Sequence, residues 1–303
     1  MQFRTYFFFL ATTAFLLFYP GEHPYFQLIA YHRDHFAKDD STPLSQIKPI
    51  PVVLSSTRPV ITAEGAYIVE VDSFTPIFKQ NEKRSFYPAS TTKIISALVA
   101  QDLFSPDDVI TVANPLLEGQ TMGLVAGEQI TMENLMYGML VHSGNDAADA
   151  LAREMGYRVF LEAMNSKAQQ LGMQDSRFTN PSGLHDPSQI TTPYDLSIAA
   201  RALLREPYLK KMVGTKEIVI SDVNYTTFHT LRNVNVLLGE IQGLGGLKTG
   251  YTEESGENLV SFYRHLGHDY ILVVMKSEDR FLDTRALVDW IIGSVTYQEV
   301  PMQ

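Results

Sequence analysis

No cysteine occurs in the 303 residues, which excludes disulfides, zinc–thiolate sites and lipid attachment at cysteine. The absence leaves the redox compartment open. Positive charge is also in short supply, with 24 Lys and Arg against 34 Asp and Glu for a net charge of −10. A chain of that sign is not built to hold nucleic acid or anionic lipid as its main partner. There is one tryptophan, and no segment repeats another. The remainder is ordinary for a folded enzyme: 45% hydrophobic, 19% charged, and long enough to bury a large core.

Charge is missing from residues 5–21 as well, and 7–19 is mostly apolar behind Arg4. Residues 1–21 therefore read as a signal sequence or an uncleaved membrane anchor, rather short for a span of about 20 residues. Tyr19-Pro20-Gly21-Glu22 follows directly, with no small-x-small cleavage site, and this favours the retained anchor. Residues 22–61 carry Pro24, Pro43, Pro49, Pro51 and Pro59 among mixed polar residues and read as a stalk. His32-Arg33-Asp34-His35 in that stalk has no third and fourth metal ligand nearby, so these read as solvated side chains.

Three short motifs carry chemistry. Ser90-Thr91-Thr92-Lys93 follows Pro88 and precedes Ile94, Ile95, Leu98 and Val99, whose spacing predicts a buried helix starting near Ser90. Residues three apart on a helix share a face, so the Lys93 amine would meet the Ser90 hydroxyl. Ser45-Gln46-Ile47-Lys48 has the same pattern, but Pro49 and Pro51 forbid a helix there and mark it as accidental. A plain N-cap with a solvated lysine is the structural alternative at Ser90. Next, Ser143-Gly144-Asn145 interrupts two apolar helical stretches, one holding Leu135, Met136, Met139 and Leu140, the other running over 147–155. It would be a mere turn if Gly144 and Asp146 act only as caps. Lastly, Gly243-Leu244-Gly245-Gly246-Leu247-Lys248-Thr249-Gly250-Tyr251 is a glycine-rich segment, a sign of close approach by a ligand or another backbone. A peptide could add to its edge by main-chain hydrogen bonds, or the segment is a hairpin with an exposed lysine.

Together the three resemble the penicillin-binding protein and serine β-lactamase superfamily, and within it the low-molecular-mass D-alanyl-D-alanine carboxypeptidases. Tyr87-Pro88-Ala89-Ser90-Thr91-Thr92-Lys93 is similar to that family's first motif, and Ser143-Gly144-Asn145-Asp146-Ala147 to its second. Phe178-Thr179-Asn180-Pro181-Ser182-Gly183-Leu184, Thr192-Pro193-Tyr194-Asp195-Leu196 and Gly246-Leu247-Lys248-Thr249-Gly250-Tyr251-Thr252 continue the likeness over residues 62–295. The resemblance implies an α/β (α+β) fold, an antiparallel sheet flanked by helices with an inserted all-helical half. The sequence agrees: strands are predicted at 65–71, 76–79, 217–220, 247–251, 258–263 and 270–275. A largely helical middle is predicted over 131–212, broken at 180–187, with a closing helix at 281–292. A peptidase domain over 62–298 follows, with too little chain after Trp290 for the family's β-rich second domain.

The resemblance also implies the chemistry. Ser90 is the expected nucleophile, Lys93 its base, and Ser143 the proton donor to the leaving group. Asn145, Lys248, Thr249, Gly250 and Tyr251 are expected to bind substrate, and Arg280 to bind its carboxylate unless it is simply a surface residue at a helix start. No cofactor or metal is expected. The implied substrate is the D-Ala-D-Ala terminus of a peptidoglycan stem peptide, with β-lactams as covalent inhibitors and an extracytoplasmic location tethered through the amino-terminal segment. A D,D-endopeptidase cutting cross-links would use the same residues; a β-lactamase or a silent penicillin-binding sensor is a further alternative. The 179–184 turn lacks the glutamate a class A β-lactamase needs to release its acyl group.

Overall fold

The computed structural model describes residues 2–18, 49–54 and 57–298. The chain divides into Met1–Lys48 and Pro49–Gln303. Within the first part, helix α1 (Gln2–Phe18) is 17 residues long, and among the described residues no helix is long and apolar enough to cross a membrane. The expected anchor thus gains no support from the fold. Ser45, Lys48 and the 32–35 cluster lie outside the described residues.

The second part is built on a sheet. Its strands in chain order are β1 (Ile50–Val53), β2 (Gly65–Glu70), β3 (Pro76–Gln80), β4 (Val109–Thr111), β5 (Gln129–Thr131), β6 (Glu217–Ser221), β7 (Phe228–Arg232), β8 (Leu244–Thr252), β9 (Gly256–His265), β10 (His268–Ser277) and β11 (Val295–Gln298). Five of them form the central antiparallel sheet in the order β3-β2-β10-β9-β8. Both faces of this sheet are covered, so its inner strands show apolar runs instead of polar alternation. Tyr67, Val69, Ile271 and Val273 point into one core and Ala66, Ile68, Leu272 and Val274 into the other, as the two-residue period of a strand requires.

Helix α8 (Arg280–Ser294) closes the second face through Leu287, Val288 and Ile291. The first face meets the helical half. That half comprises α2 (Lys93–Leu103), α3 (Met132–Leu140), α4 (Asn145–Met155), α5 (Tyr157–Leu171), α6 (Pro193–Leu204) and α7 (Pro207–Val213). Helix α2 is buried from Lys93 through Ala100, an all-round burial that its mainly apolar composition permits, with Ser96 donating to the Pro181 carbonyl (2.6 Å). The fold is the α/β arrangement expected, an antiparallel sheet flanked by helices; the insertion between β3 and β6 is largely helical but not all-helical, since it also holds the β4–β5 pair.

Three differences from the sequence reading matter. Ser90 does not open an α-helix; it sits in a short 3₁₀ turn, Ala89–Thr92, and α2 begins only at Lys93. Residues three apart eclipse in a 3₁₀ turn, so the tighter geometry stacks Lys93 still more directly over Ser90. Strand β8 runs from Leu244, longer than expected, because the glycines pair with β9 instead of ending the strand. Residues 50–53, read as stalk, form β1 and pair with β11 across the register Ile50↔Gln298 to Val53↔Val295.

Candidate active site

The turn before Ser90 is fixed from outside. Asn258 on β9 is fully buried and its Nδ2 donates to the carbonyls of Tyr87 (2.9 Å) and Pro88 (3.1 Å), while its Oδ1 accepts from the Lys276 N–H (2.8 Å). Ala89 is held at φ 46°, a left-handed conformation that costs an alanine on the order of 1 kcal/mol or more. Two glycines let other segments press on this turn. A Cβ at Gly250 would lie 3.0 Å from the Ser90 nitrogen, and one at Gly183 would lie 1.9 Å from the Ala89 carbonyl oxygen. Gly183 also has φ +88°, so a side chain there meets both strain and backbone.

Strand β8, at the edge of the sheet, and the 180–184 turn therefore flank Ser90. Asn180 shapes that turn, its Oδ1 accepting from the Gly183 N–H (2.7 Å) and its Nδ2 donating to the Leu184 carbonyl (2.9 Å). The result aims the Ser182 carbonyl at the Lys93 amine, 2.6 Å away.

Lys93 is completely buried and touches three oxygens: Ser90 Oγ at 2.8 Å, Asn145 Oδ1 at 2.7 Å and Ser182 O at 2.6 Å. Asn145 is oriented by its own Nδ2, which donates to the Glu118 carbonyl (2.9 Å), so its oxygen must be the atom facing Lys93. Burial drives the Lys93 pKa well below the usual lysine range; the nearby Lys248 cation pushes the same way, and Asp146 opposes. A neutral amine has two N–H groups and one lone pair. The Asn145 and Ser182 oxygens can only accept, so they take both N–H groups. The lone pair is left for the Ser90 O–H proton.

Ser143 occupies the turn between α3 and α4 at φ 64°, again left-handed and nearly buried. The Asp146 carboxylate, placed two residues beyond Gly144, accepts from the N–H groups of Met122 (2.9 Å), Gly123 (3.0 Å) and Leu124 (3.1 Å). It thereby wraps the 120–124 segment around the turn, and the Gly144 N–H closes it onto the Gly138 carbonyl (2.9 Å). Lys248 Nζ donates to Ser143 Oγ (2.8 Å) and to the Thr249 carbonyl (3.1 Å). Burial, aided by the Arg280 guanidinium, lowers the Lys248 pKa to about 7.

The three motifs thus converge through Ser90–Lys93–Asn145 on one side and Ser143–Lys248 on the other. Thr249 is buried next to Lys248, and Tyr251 leaves its side chain largely exposed on β8. Arg280 is brought to the same strand: its Nη1 donates to the Gly250 carbonyl at 2.9 Å, with the Glu257 carboxylate 3.9 Å from its Nε. Sequence reasoning passed over Asn258 as a supporting residue and the Ser182 carbonyl as a partner of Lys93. A backbone oxygen leaves no residue-type signal, whereas an asparagine amid an apolar strand was a visible one.

The sequence profile described as D-alanyl-D-alanine carboxypeptidase (peptidase S11) matches residues 53–279. The chain belongs to this family. Its S11 relatives include the D-alanyl-D-alanine carboxypeptidase DacD of Escherichia coli, 33% identical over 259 residues, which are 79% of this chain and 65% of that protein. DacF of Bacillus subtilis is 31% identical over 202 residues, 64% of this chain and 52% of that protein. The chain accordingly spans about half to two thirds of the length of these curated S11 relatives. Among solved structures, the Streptomyces K15 DD-transpeptidase superposes with a TM-score of 0.73 at 27% identity, covering 78% of this chain and 99% of that one.

Proposed function

We propose that the protein is a serine D-alanyl-D-alanine carboxypeptidase that removes the terminal D-alanine from peptidoglycan stem pentapeptides. The observation carrying this is the Lys93 amine, stripped of water, with two fixed acceptors and its remaining position 2.8 Å from Ser90 Oγ. Neutral Lys93 takes the Ser90 proton as Oγ attacks the carbonyl between the two D-alanines. The oxyanion is received by the backbone N–H groups of Ser90 and Tyr251, each such donor contributing about 3 kcal/mol to the transition state.

Ser143 passes its proton to the departing amine and takes back the one that Lys93 removed from Ser90, which returns Lys93 to its neutral form. Asn145 orients the substrate amide and Gly250 keeps the cleft open, while Lys248, Thr249 and Arg280 hold the leaving carboxylate. Water then hydrolyses the Ser90 ester and regenerates the hydroxyl. β-Lactams enter the same path and acylate Ser90. The substrate places the enzyme outside the cytoplasm, and the apolar stretch at 5–21 is suited to export or tethering there.

The test is release of free D-alanine from a defined pentapeptide. The wild-type protein is expected to release it and Ser90→Ala is not; full activity in Ser90→Ala would remove the assignment. Product analysis on cross-linked muropeptides distinguishes trimming from cross-link cleavage.

A further inference from the structure

The direction of a substrate along β8 follows from the proposed roles. Its terminal carboxylate lies by Lys248 and Thr249 and its scissile carbonyl by Tyr251, so the residues upstream run toward Thr252 and the β8–β9 turn. One residue advances an extended chain by about 3.5 Å, which carries the third stem residue past Thr252. A shallow recess there is bordered by Thr252, Tyr87, Leu184 and His185. Beyond Tyr87 opens a cavity of about 290 Å³, lined by Arg84, Tyr87, Ile190, Glu254, Ser255 and Lys276.

The walls of this cavity are opposite in charge. Arg84 Nη1 and Lys276 Nζ contact the two oxygens of a single carboxylate, Glu64, at 2.8 and 2.7 Å. Two cations sharing one anion leave a positive charge unmatched. Glu254 provides the negative wall; its nearest cationic neighbour is His185, 3.6 Å away, which is charged only when protonated. Tyr87 also lines the cavity, edge-on to His185 with 4.9 Å between ring centres. All four charged side chains are between a third and just over a half exposed, so they remain free to turn toward a ligand.

A side chain ending in a bare ammonium would match Glu254 and meet repulsion from the Arg84–Lys276 side. One ending in both an ammonium and a carboxylate would match both walls. We infer that this cavity is the subsite for the third stem residue, and that it selects a zwitterionic side chain of the 2,6-diaminopimelate type over lysine. The inference rests on the carboxypeptidase reading given above.

The test uses the full protein and three pentapeptides that differ only at position three: diaminopimelate, lysine and Nε-acetyl-lysine. Each half-exposed ion pair changes affinity by about two- to fivefold. KM is therefore expected to rise in that order of peptides, with kcat nearly constant. Glu254→Gln is expected to raise KM about two- to fivefold for the diaminopimelate and lysine peptides and to leave the acetylated one unchanged. Lys276→Gln is expected to raise it for the diaminopimelate peptide alone. Fluorescent penicillin labelling of Ser90 should be unaltered in both variants, showing that the site itself is intact. Equal KM for all three peptides, or an equal rise for all three in Glu254→Gln, overturns the subsite while leaving the carboxypeptidase standing. No D-alanine release from any of the peptides overturns both.

Discussion

Lys248→Met is predicted to make the protein more stable and inactive at once. Lys248 is 3% exposed, and burial lowers its pKa from the ordinary 10.5 to about 7. Because the folded pKa lies below the unfolded one, the unfolded chain binds a proton between pH 7 and 10.5 that the folded protein does not. Stability must then rise with pH across that window. At pH 7.5 the folded state stands about three pH units short of parity, and each unit is about 1.4 kcal/mol, a burden on the order of 4 kcal/mol.

Methionine fills a similar volume without the charge. It leaves Ser143 Oγ and the Thr249 carbonyl without the amine, a loss of about 1–2 kcal/mol. The expected net gain at pH 7.5 is roughly 2–3 kcal/mol, vanishing about one pH unit below 10.5 and becoming a loss of about 1–2 kcal/mol at higher pH. Urea unfolding at pH 7.5, 8.5 and 9.5 measures it. Wild-type stability should climb more steeply with pH than that of the variant, by up to about 1.4 kcal/mol per pH unit. Parallel slopes, or a variant less stable at pH 7.5, would refute the claim that this lysine is buried at the expense of its charge.

Ser143→Gly and Ser143→Ala both lose the hydroxyl and should both lose activity, but only alanine keeps the strain of φ 64°. The glycine variant should melt later, by about 1 kcal/mol in unfolding free energy; identical melting would mean the turn is not strained. Asn258→Ala strips partners from two carbonyls and one N–H in the core. A loss of about 2–4 kcal/mol and slower penicillin acylation of Ser90 are expected, and a normal acylation rate in folded variant would show that Asn258 does not position the nucleophile. Nitrocefin should give a burst of about one equivalent and then almost no turnover, because the 179–184 turn carries no carboxylate to activate water. Sustained rapid hydrolysis would contradict this.

Much of the site was legible because its chemistry is carried by side chains at short, fixed spacing. Ser90 with Lys93, Ser143 with Asn145, and Lys248 with Thr249 each declare themselves within four residues. The sheet's central strands were legible for a related reason: β2 and β10 are buried on both faces and leave apolar runs. What stayed hidden depended on distant partners. β1 and β11 are four residues each and are strands only because they pair with one another across the length of the domain. The 3₁₀ turn at Ala89–Thr92 is imposed by Asn258, Gly250 and Gly183 packing around it, against the helical preference of the sequence that follows.

The β1–β11 ribbon has a practical consequence. A recombinant fragment cut at residue 62, inside the matched stretch 53–279, would discard one of its two strands. It would also remove Thr57, whose carbonyl receives the Trp290 indole N–H at 2.8 Å. Thr296 and Tyr297 would then line a raw, unpaired edge of the kind that recruits other chains. Starting instead at Pro49 retains the partner strand, so the soluble yield of the two fragments should differ even though both contain Ser90, Lys93, Ser143 and Lys248.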